Sequence, residues 1–146
     1  MKRSDIDTGI VGRTAPYSDA VMLDDRHRWL VTSGTAGFDG GELADDFTTQ
    51  AECAWRNTIA ALEQGGMTTD DIVRVTHYLV RPADLPGYRQ ICRRILGGGR
   101  PTSMLMFVAS LPNPKMLIEI TVEAARPLVA CALGREFAER EKTSWF

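Results

Sequence analysis

The chain has 146 residues, enough for one domain, and its hydrophobic and charged fractions of 44% and 25% are those of an ordinary globular protein. Its formal net charge of −2 gives no broad basic surface for nucleic acid. No apolar run approaches the roughly 20 residues that a membrane helix needs, and no apolar stretch of signal-peptide length follows the polar residues 1–7. We therefore expect a cytoplasmic protein without a membrane partner.

The first half of the chain is predicted to contain a β-hairpin and a long helix. Two β-rich runs, residues 21–23 and 29–34, flank the turn-forming residues 24–26. After a glycine-rich loop, apolar residues recur at steps of three and four, the stripe of an amphipathic helix. Asp45 or Asp46 can cap its start, and Gly65 and Gly66 end it. The stripe consists of Phe47, Ala51, Ala54, Trp55, Thr58 and Leu62.

The second half is predicted to add a strand, a helix and a second hairpin. Residues 72–80 are mostly β-branched or aromatic and precede Pro82, which is typical of a strand. Residues 84–96 have helical spacing, with Pro86 tolerated in the first turn and three glycines at 97–99 ending the helix. Residues 103–109 and 117–125 are predicted strands, and the second alternates clearly. Its apolar face is Ile118, Ile120, Val122 and Ala124, and its polar face is Glu119, Thr121 and Glu123.

The predicted order of elements is β-β-α-β-α-β-β, in a domain of residues 1–126. Strand–helix–strand units need parallel crossovers whereas hairpins are antiparallel, so we expect an α+β protein with a mixed sheet and both helices on one face. The other face is then uncovered. Met104, Met106 and Val108 alternate with Leu105 and Phe107, so both faces are apolar there and partner subunits are expected. Residues 127–146 form an extension, interpreted as a loose tail or a short charged helix, or as a segment whose terminal Trp145 and Phe146 dock on a neighbouring subunit.

The cysteines and histidines are sparse and widely separated. Cys53, Cys92 and Cys131 lie about 40 residues apart, an odd count without a CxxC pair. His27 and His77 have no partner at metal-ligand spacing. The sequence therefore predicts neither a disulfide framework nor a metal site.

Several segments, in order and at similar spacing, resemble the RidA (YjgF/YER057c/UK114) family over residues 10–126. The segments are APYS (15–18), VTSG (31–34), residues 50–66, residues 71–76, PTS (101–103), LP (111–112) and LIEI (117–120). The resemblance implies the chorismate-mutase-like α+β fold and a homotrimer with sites in the clefts between subunits. It also implies hydrolysis of reactive enamines and imines, such as 2-aminoacrylate, to ketones and ammonia without a metal or organic cofactor.

The resemblance also carries individual site residues over to this chain. Glu119 falls on the family's glutamate, which positions or deprotonates the attacking water. Tyr17 falls on a tyrosine near the cleft entrance. Ser33 and Gly34 match a serine–glycine pair, where glycine lets a ligand approach the backbone closely. Each residue also has a purely structural interpretation: an ion-paired strand residue, a packing tyrosine, and a turn at a strand end.

Position 103 departs from the family pattern. Ser103 stands where the family has an arginine that binds the substrate carboxylate through two charge-assisted hydrogen bonds. A serine hydroxyl can offer only one neutral hydrogen bond in their place. Arg100 reaches the cleft only if the preceding glycines hold it in a loop, and Arg13 is a comparable alternative. We therefore assign the chain to the Rid subgroup that lacks this arginine and expect a substrate other than 2-aminoacrylate-type enamines, in an apolar-walled cleft. His77 is interpreted as a strand-packing or rim residue.

The sequence is compatible with three functions. The first is an enamine or imine deaminase. The second is a non-catalytic small-molecule-binding or regulatory trimer, since a fold does not fix a function. The third, a ribonuclease or translation inhibitor, is disfavoured by the acidic balance and the lack of a histidine pair suited to RNA cleavage.

Overall fold

The computed structural model describes residues 3–6, 8, 17–18, 20–23 and 26–128. The helices are α1 (Phe47–Gln64) and α2 (Leu85–Leu96). The strands are β1 (Arg3–Ile6), β2 (Ala20–Leu23), β3 (His27–Val31), β4 (Thr35–Ala36), β5 (Phe38–Asp39), β6 (Glu42–Leu43), β7 (Ile72–Leu79), β8 (Thr102–Phe107) and β9 (Ile118–Pro127). Arg13, Cys131 and the predicted extension from residue 129 onward lie outside the described residues. Neither α1 nor α2, the helices of this part of the chain, is both long and apolar enough to span a bilayer.

The central sheet is mixed, as predicted. Its order is β3-β9-β7-β8, with β4 also paired to β9. β7 and β8 are parallel, whereas β9 is antiparallel to β7, β3 and β4. Side chains from α1, α2 and the apolar face of β9 form one buried core, so the protein is an α+β fold with its helices packed against the sheet.

Helix α1 follows its sequence signals closely. Asp46 is the N-cap, and its carboxylate accepts hydrogen bonds from the backbone N–H of Thr49 at 3.0 Å and from the Thr49 hydroxyl at 2.6 Å. The helix ends at Gly65, and Gly66 adopts a φ of 68°, a left-handed conformation that favours glycine. Every residue of the predicted stripe is buried: Phe47, Ala51, Ala54, Trp55, Thr58 and Leu62.

Both predicted hairpins are wrong. β2 pairs with β1, a strand that was not predicted, while β3 pairs with β9. β8 does not pair with β9, because β7 lies between them. The reason lies in β7, most of whose side chains are buried, with Thr76 buried even on the open face, and which therefore takes an interior position in the sheet. The crossover through α2 sets β8 parallel to one edge of β7, and the other edge is left for β9.

The sheet face opposite the helices is partly apolar and uncovered, as predicted. Trp29, Val31 and Met104 have exposed fractions of 55%, 69% and 52%. Met106 is half-buried on the same face. We call this side of the sheet the open face.

Candidate functional site

Strand alternation divides the predicted site residues into two groups. Side chains of successive strand residues point to opposite faces of a sheet. Glu119 lies between the buried Ile118 and Ile120 and therefore belongs to the open face. Ser103 points to the helix face, where its hydroxyl contacts a buried side chain of β7. The open-face group is Ser33, Gly34 and Glu119, and the cleft group is Tyr17, Arg100 and Ser103.

The open-face group is built around a close contact between Gly34 and Glu119. A Cβ atom added to Gly34 would lie 2.3 Å from Oε1 and 2.6 Å from Cδ of Glu119. The carboxylate thus occupies the space that any larger residue at position 34 would fill. Ser33 is exposed beside it, and Glu119 pairs across the sheet with Ala36 and Tyr78.

Helix α1 fixes the start of the strand that carries Glu119. Gln50 is fully buried, and its Oε1 accepts the backbone N–H of Leu117 at 2.8 Å. Its Nε2 donates to the carbonyls of Ala44 and Lys115, at 2.8 and 2.9 Å. One amide side chain therefore satisfies three backbone groups and holds β9 two residues before the carboxylate.

The cleft group lines a cavity of about 740 Å³ on the helix side of the sheet. Its walls are α2, the glycine loop at 97–99, and parts of β7 and β8. Ser18 donates its hydroxyl to the carbonyl of Arg100 at 2.7 Å, and the Arg100 guanidinium donates to the carbonyl of Tyr17 at 2.9 Å. These two bonds hold Tyr17 and Arg100 at one wall of the cleft.

A chain of hydrogen bonds leads from the cleft into the core. The Ser103 hydroxyl lies 3.0 Å from Nε2 of His77, and Nδ1 of His77 lies 2.7 Å from the Tyr88 hydroxyl. Burial lowers the pKa of His77 to about 4 and raises the pKa of Tyr88 well above its usual value. All three groups are therefore neutral at pH 7, and the hydroxyl at position 103 is already bonded to a protein group.

Sequence reasoning expected His77 only as a packing or rim residue, and it is buried, with 4% exposed. Its bond to Ser103 was missed. No local signal could have found this bond, because alternation fixes the faces within one strand but not the register between two strands joined by a helix. Cys92 also lines the cleft, where burial raises the pKa of its thiol to about 11 and keeps it protonated. Among the described residues, no three His, Cys, Asp or Glu side chains are grouped closely enough to hold a metal ion.

Comparison with known proteins identifies the family. The sequence model of the family described as Endoribonuclease L-PSP matches residues 11–126. The structure of the Rid-family protein YyfB from Yersinia pestis superposes with a TM-score of 0.76 at 28% identity, covering 86% of this chain and 100% of that one. RidA from an Antarctic Psychrobacter gives 0.65 at 26% identity, covering 79% and 92%. Escherichia coli TdcF, whose structure contains bound serine, gives 0.61 at 26% identity, covering 79% and 91%. The chain therefore belongs to the Rid (YjgF/YER057c/UK114) family.

Proposed function

We propose that this protein is a RidA-like deaminase that hydrolyses a reactive enamine or imine to a carbonyl compound and ammonia. The observation that carries the proposal is the Glu119 carboxylate, held against Gly34 on the open face. The proposed enzyme acts in the cytoplasm and uses no metal or organic cofactor. Its substrate differs from 2-aminoacrylate-type enamines, because position 103 offers a neutral hydroxyl bonded to His77 in place of an arginine.

The chemistry asked of Glu119 is proton transfer to and from water. A water molecule bonded to the carboxylate gives up a proton as its oxygen attacks the imine carbon. The proton then passes to the nitrogen, which gives a carbinolamine. The carboxylate next takes the hydroxyl proton and passes it to the amine nitrogen, so the C–N bond breaks and ammonia leaves as the carbonyl forms. Tyr17, Ser33 and the backbone at Gly34 are proposed to hydrogen-bond the substrate, with Ser103 and Arg100 in the opposite half of the site.

The two groups of site residues support a site shared between subunits. Gly34 lies between β3 and β4 at one edge of the sheet, and Ser103 lies on β8 at the other edge. Three strand spacings separate these edges, about 14 Å. The groups also face opposite sides of the sheet, so one small molecule cannot touch both within one chain. Contact of unlike edges between copies is a heterologous interface, which closes into a ring when the rotation allows it.

The uncovered apolar residues support the same assembly. Trp29, Val31 and Met104 are more than half exposed on the open face of one chain. Exposed apolar area of this kind commonly marks a protein–protein interface. We propose a homotrimer in which the open-face group of one subunit meets the cleft group of the next.

The experiment that tests the deaminase compares two variants of the same strand and face. Imines are generated in situ by amino-acid or amine oxidases, and ammonia release is measured with wild type, Glu119→Gln and Glu123→Gln. Glu123 is the matched control, because its carboxylate forms an exposed ion pair with Arg74 at 3.4 Å. We expect E119Q to lose at least about a hundredfold in rate, the size of a lost general base, while E123Q keeps it. A panel of imines that decays no faster than in buffer would overturn the proposal.

One observation favours a second candidate, a non-catalytic binding trimer. Ser103 is bonded to His77, so position 103 presents no charged group to a substrate. A ligand that binds only the folded form raises the unfolding temperature, whether or not it is turned over. Stabilisation by small acids or ketones without ammonia release from any imine would favour this candidate.

A further inference from the structure

The described lining of the cleft contains arginines and no acidic residue. Arg89, Arg93 and Arg100 are among its lining residues, none of the described lining residues is Asp or Glu, and of the three the Arg100 guanidinium bonds the carbonyl of Tyr17. The chain as a whole has a net charge of −2, so this cleft differs in sign from the protein around it. A concave site lined by one sign of charge focuses the field and concentrates ions of opposite sign.

Two of these arginines have no side-chain partner in the part of the chain that the structure describes. Arg89 and Arg93 are one helical turn apart on α2, a spacing at which like charges destabilise a helix. Both are exposed, and neither guanidinium makes an ion pair or hydrogen bond with a described residue. Their neighbour Arg94 differs: it points away from the cleft and pairs with Glu52 at 2.6 Å.

The helix itself does not supply the attraction for an anion. The C-terminal end of α2, at Leu96, borders the cleft, and the carbonyls at a helix C-terminus carry partial negative charge. Arg93, in the last turn, complements that charge. Arg89 lies a full turn earlier, beyond the range of this effect, and so the helix dipole does not explain it.

We propose that Arg89 and Arg93 bind a carboxylate or phosphate group of the substrate on the α2 wall of the cleft. The reacting carbon is proposed to lie at β8, near Ser103, on the opposite wall of the cleft. Because packed layers of secondary structure lie about 10 Å apart, the anionic group at α2 is distant from that carbon. The substrate class is thus an imine with an anionic group several bonds from the C=N carbon, not on the adjacent carbon. A cavity of about 740 Å³ accommodates a molecule of that length.

The identity of the reacting group rests on the proposed function, but anion binding can be measured without turnover. Titration calorimetry at constant ionic strength uses glutarate, inorganic phosphate and the uncharged glutaramide as probes. The proteins are wild type, Arg89→Gln, Arg93→Gln, the double variant, and Arg94→Gln as the control on the same helix. Glutarate and phosphate distinguish the two anionic groups.

We expect each cleft variant to raise the Kd of the better anion by about tenfold, as for a lost charge-assisted hydrogen bond. R94Q should change the Kd by less than about twofold, because it lies outside the cleft. Glutaramide should bind more weakly than glutarate to wild type and equally to all variants. The double variant should unfold at the same or a higher temperature than wild type, because a repulsion is removed.

Three results overturn the inference: no binding of either anion to wild type, equal binding of glutaramide, or an effect of R94Q equal to that of R89Q. Failure of this proposal is distinguishable from failure of the deaminase. Anion binding without any imine turnover leaves the arginine site standing. Imine turnover whose KM is unchanged in R89Q and R93Q leaves only the deaminase standing.

Discussion

Replacing Gly34 with alanine tests whether Glu119 acts from the position seen here. The added Cβ would lie 2.3 Å from Oε1, whereas ordinary contacts begin near 3.4 Å, so the carboxylate must retreat by about 1 Å. A displacement of that size at a catalytic group costs about a hundredfold in rate. The atoms that move are the end of a flexible side chain, so the free energy of unfolding should change by less than about 1 kcal/mol. We therefore expect kcat/KM to fall about a hundredfold in a protein that folds normally.

The assay is ammonia release from whichever imine the wild type hydrolyses fastest, with the free energy of unfolding measured by urea denaturation. Gly87→Ala is the matched control, because it lies in α2 and no heavy atom is within 4 Å of the added methyl. The control should keep its activity and gain roughly 0.5–1 kcal/mol of stability from the helix preference of alanine. Wild-type kcat/KM in G34A would refute the reasoning, since Glu119 would then tolerate displacement from the site proposed for it.

Three further predictions concern stability and assembly. Burial lowers the pKa of His77 from 6.5 to about 4, so the unfolded chain binds the proton at a higher pH than the folded chain does, and stability is lost as pH falls from 6.5 to 4. Urea denaturation should show that the free energy of unfolding falls by up to about 3 kcal/mol over this range in wild type but not in His77→Val. Val31→Lys places a charge on the open face and should convert the proposed trimer to monomers in sedimentation experiments. The control Glu63→Lys, on the exposed side of α1, should leave the assembly unchanged, and a trimeric V31K would contradict the proposed interface. Gln50→Leu leaves three backbone groups unpaired and should lower the free energy of unfolding by about 3 kcal/mol. The exposed Gln90→Leu should change it negligibly, and a small loss in Q50L would show that water replaces the amide.

The local elements were predictable because their signals are local. The stripe that begins at Phe47, its cap at Asp46 and the glycines at its end were enough to locate α1 within a residue or two. The alternation of residues 118–124 likewise separated the buried face of β9 from the face that carries Glu119.

Strand adjacency was not predictable in the same way. Which strands pair depends on where the most buried strand sits, and burial on both faces of β7 is decided by residues far away in sequence. Strands that are neighbours in the chain commonly pair as hairpins, but here two crossover helices place other strands between them or beside them.

The candidate site was partly predictable. The spacing of the family motifs indicated Gly34 and Glu119, and the structure brings the two into contact. Arg89 and Arg93 were missed, because charged residues at helical spacing are usually solvated and nothing local shows that a helix face borders a cleft. His77 was missed as a partner of Ser103 because the parallel register of their strands is a tertiary property.

The separate supports of Glu119 and Ser103 have an evolutionary consequence. The carboxylate depends on Gly34 and on the amide of Gln50, whereas Ser103 depends on His77, and the two sets share no residue. Substitutions that are well apart and share no partner have nearly additive effects. A substitution at position 103 should therefore leave the Glu119–Gly34 contact unchanged. If Glu119 activates water as proposed, the preferred substrate of this fold can change without loss of the catalytic carboxylate.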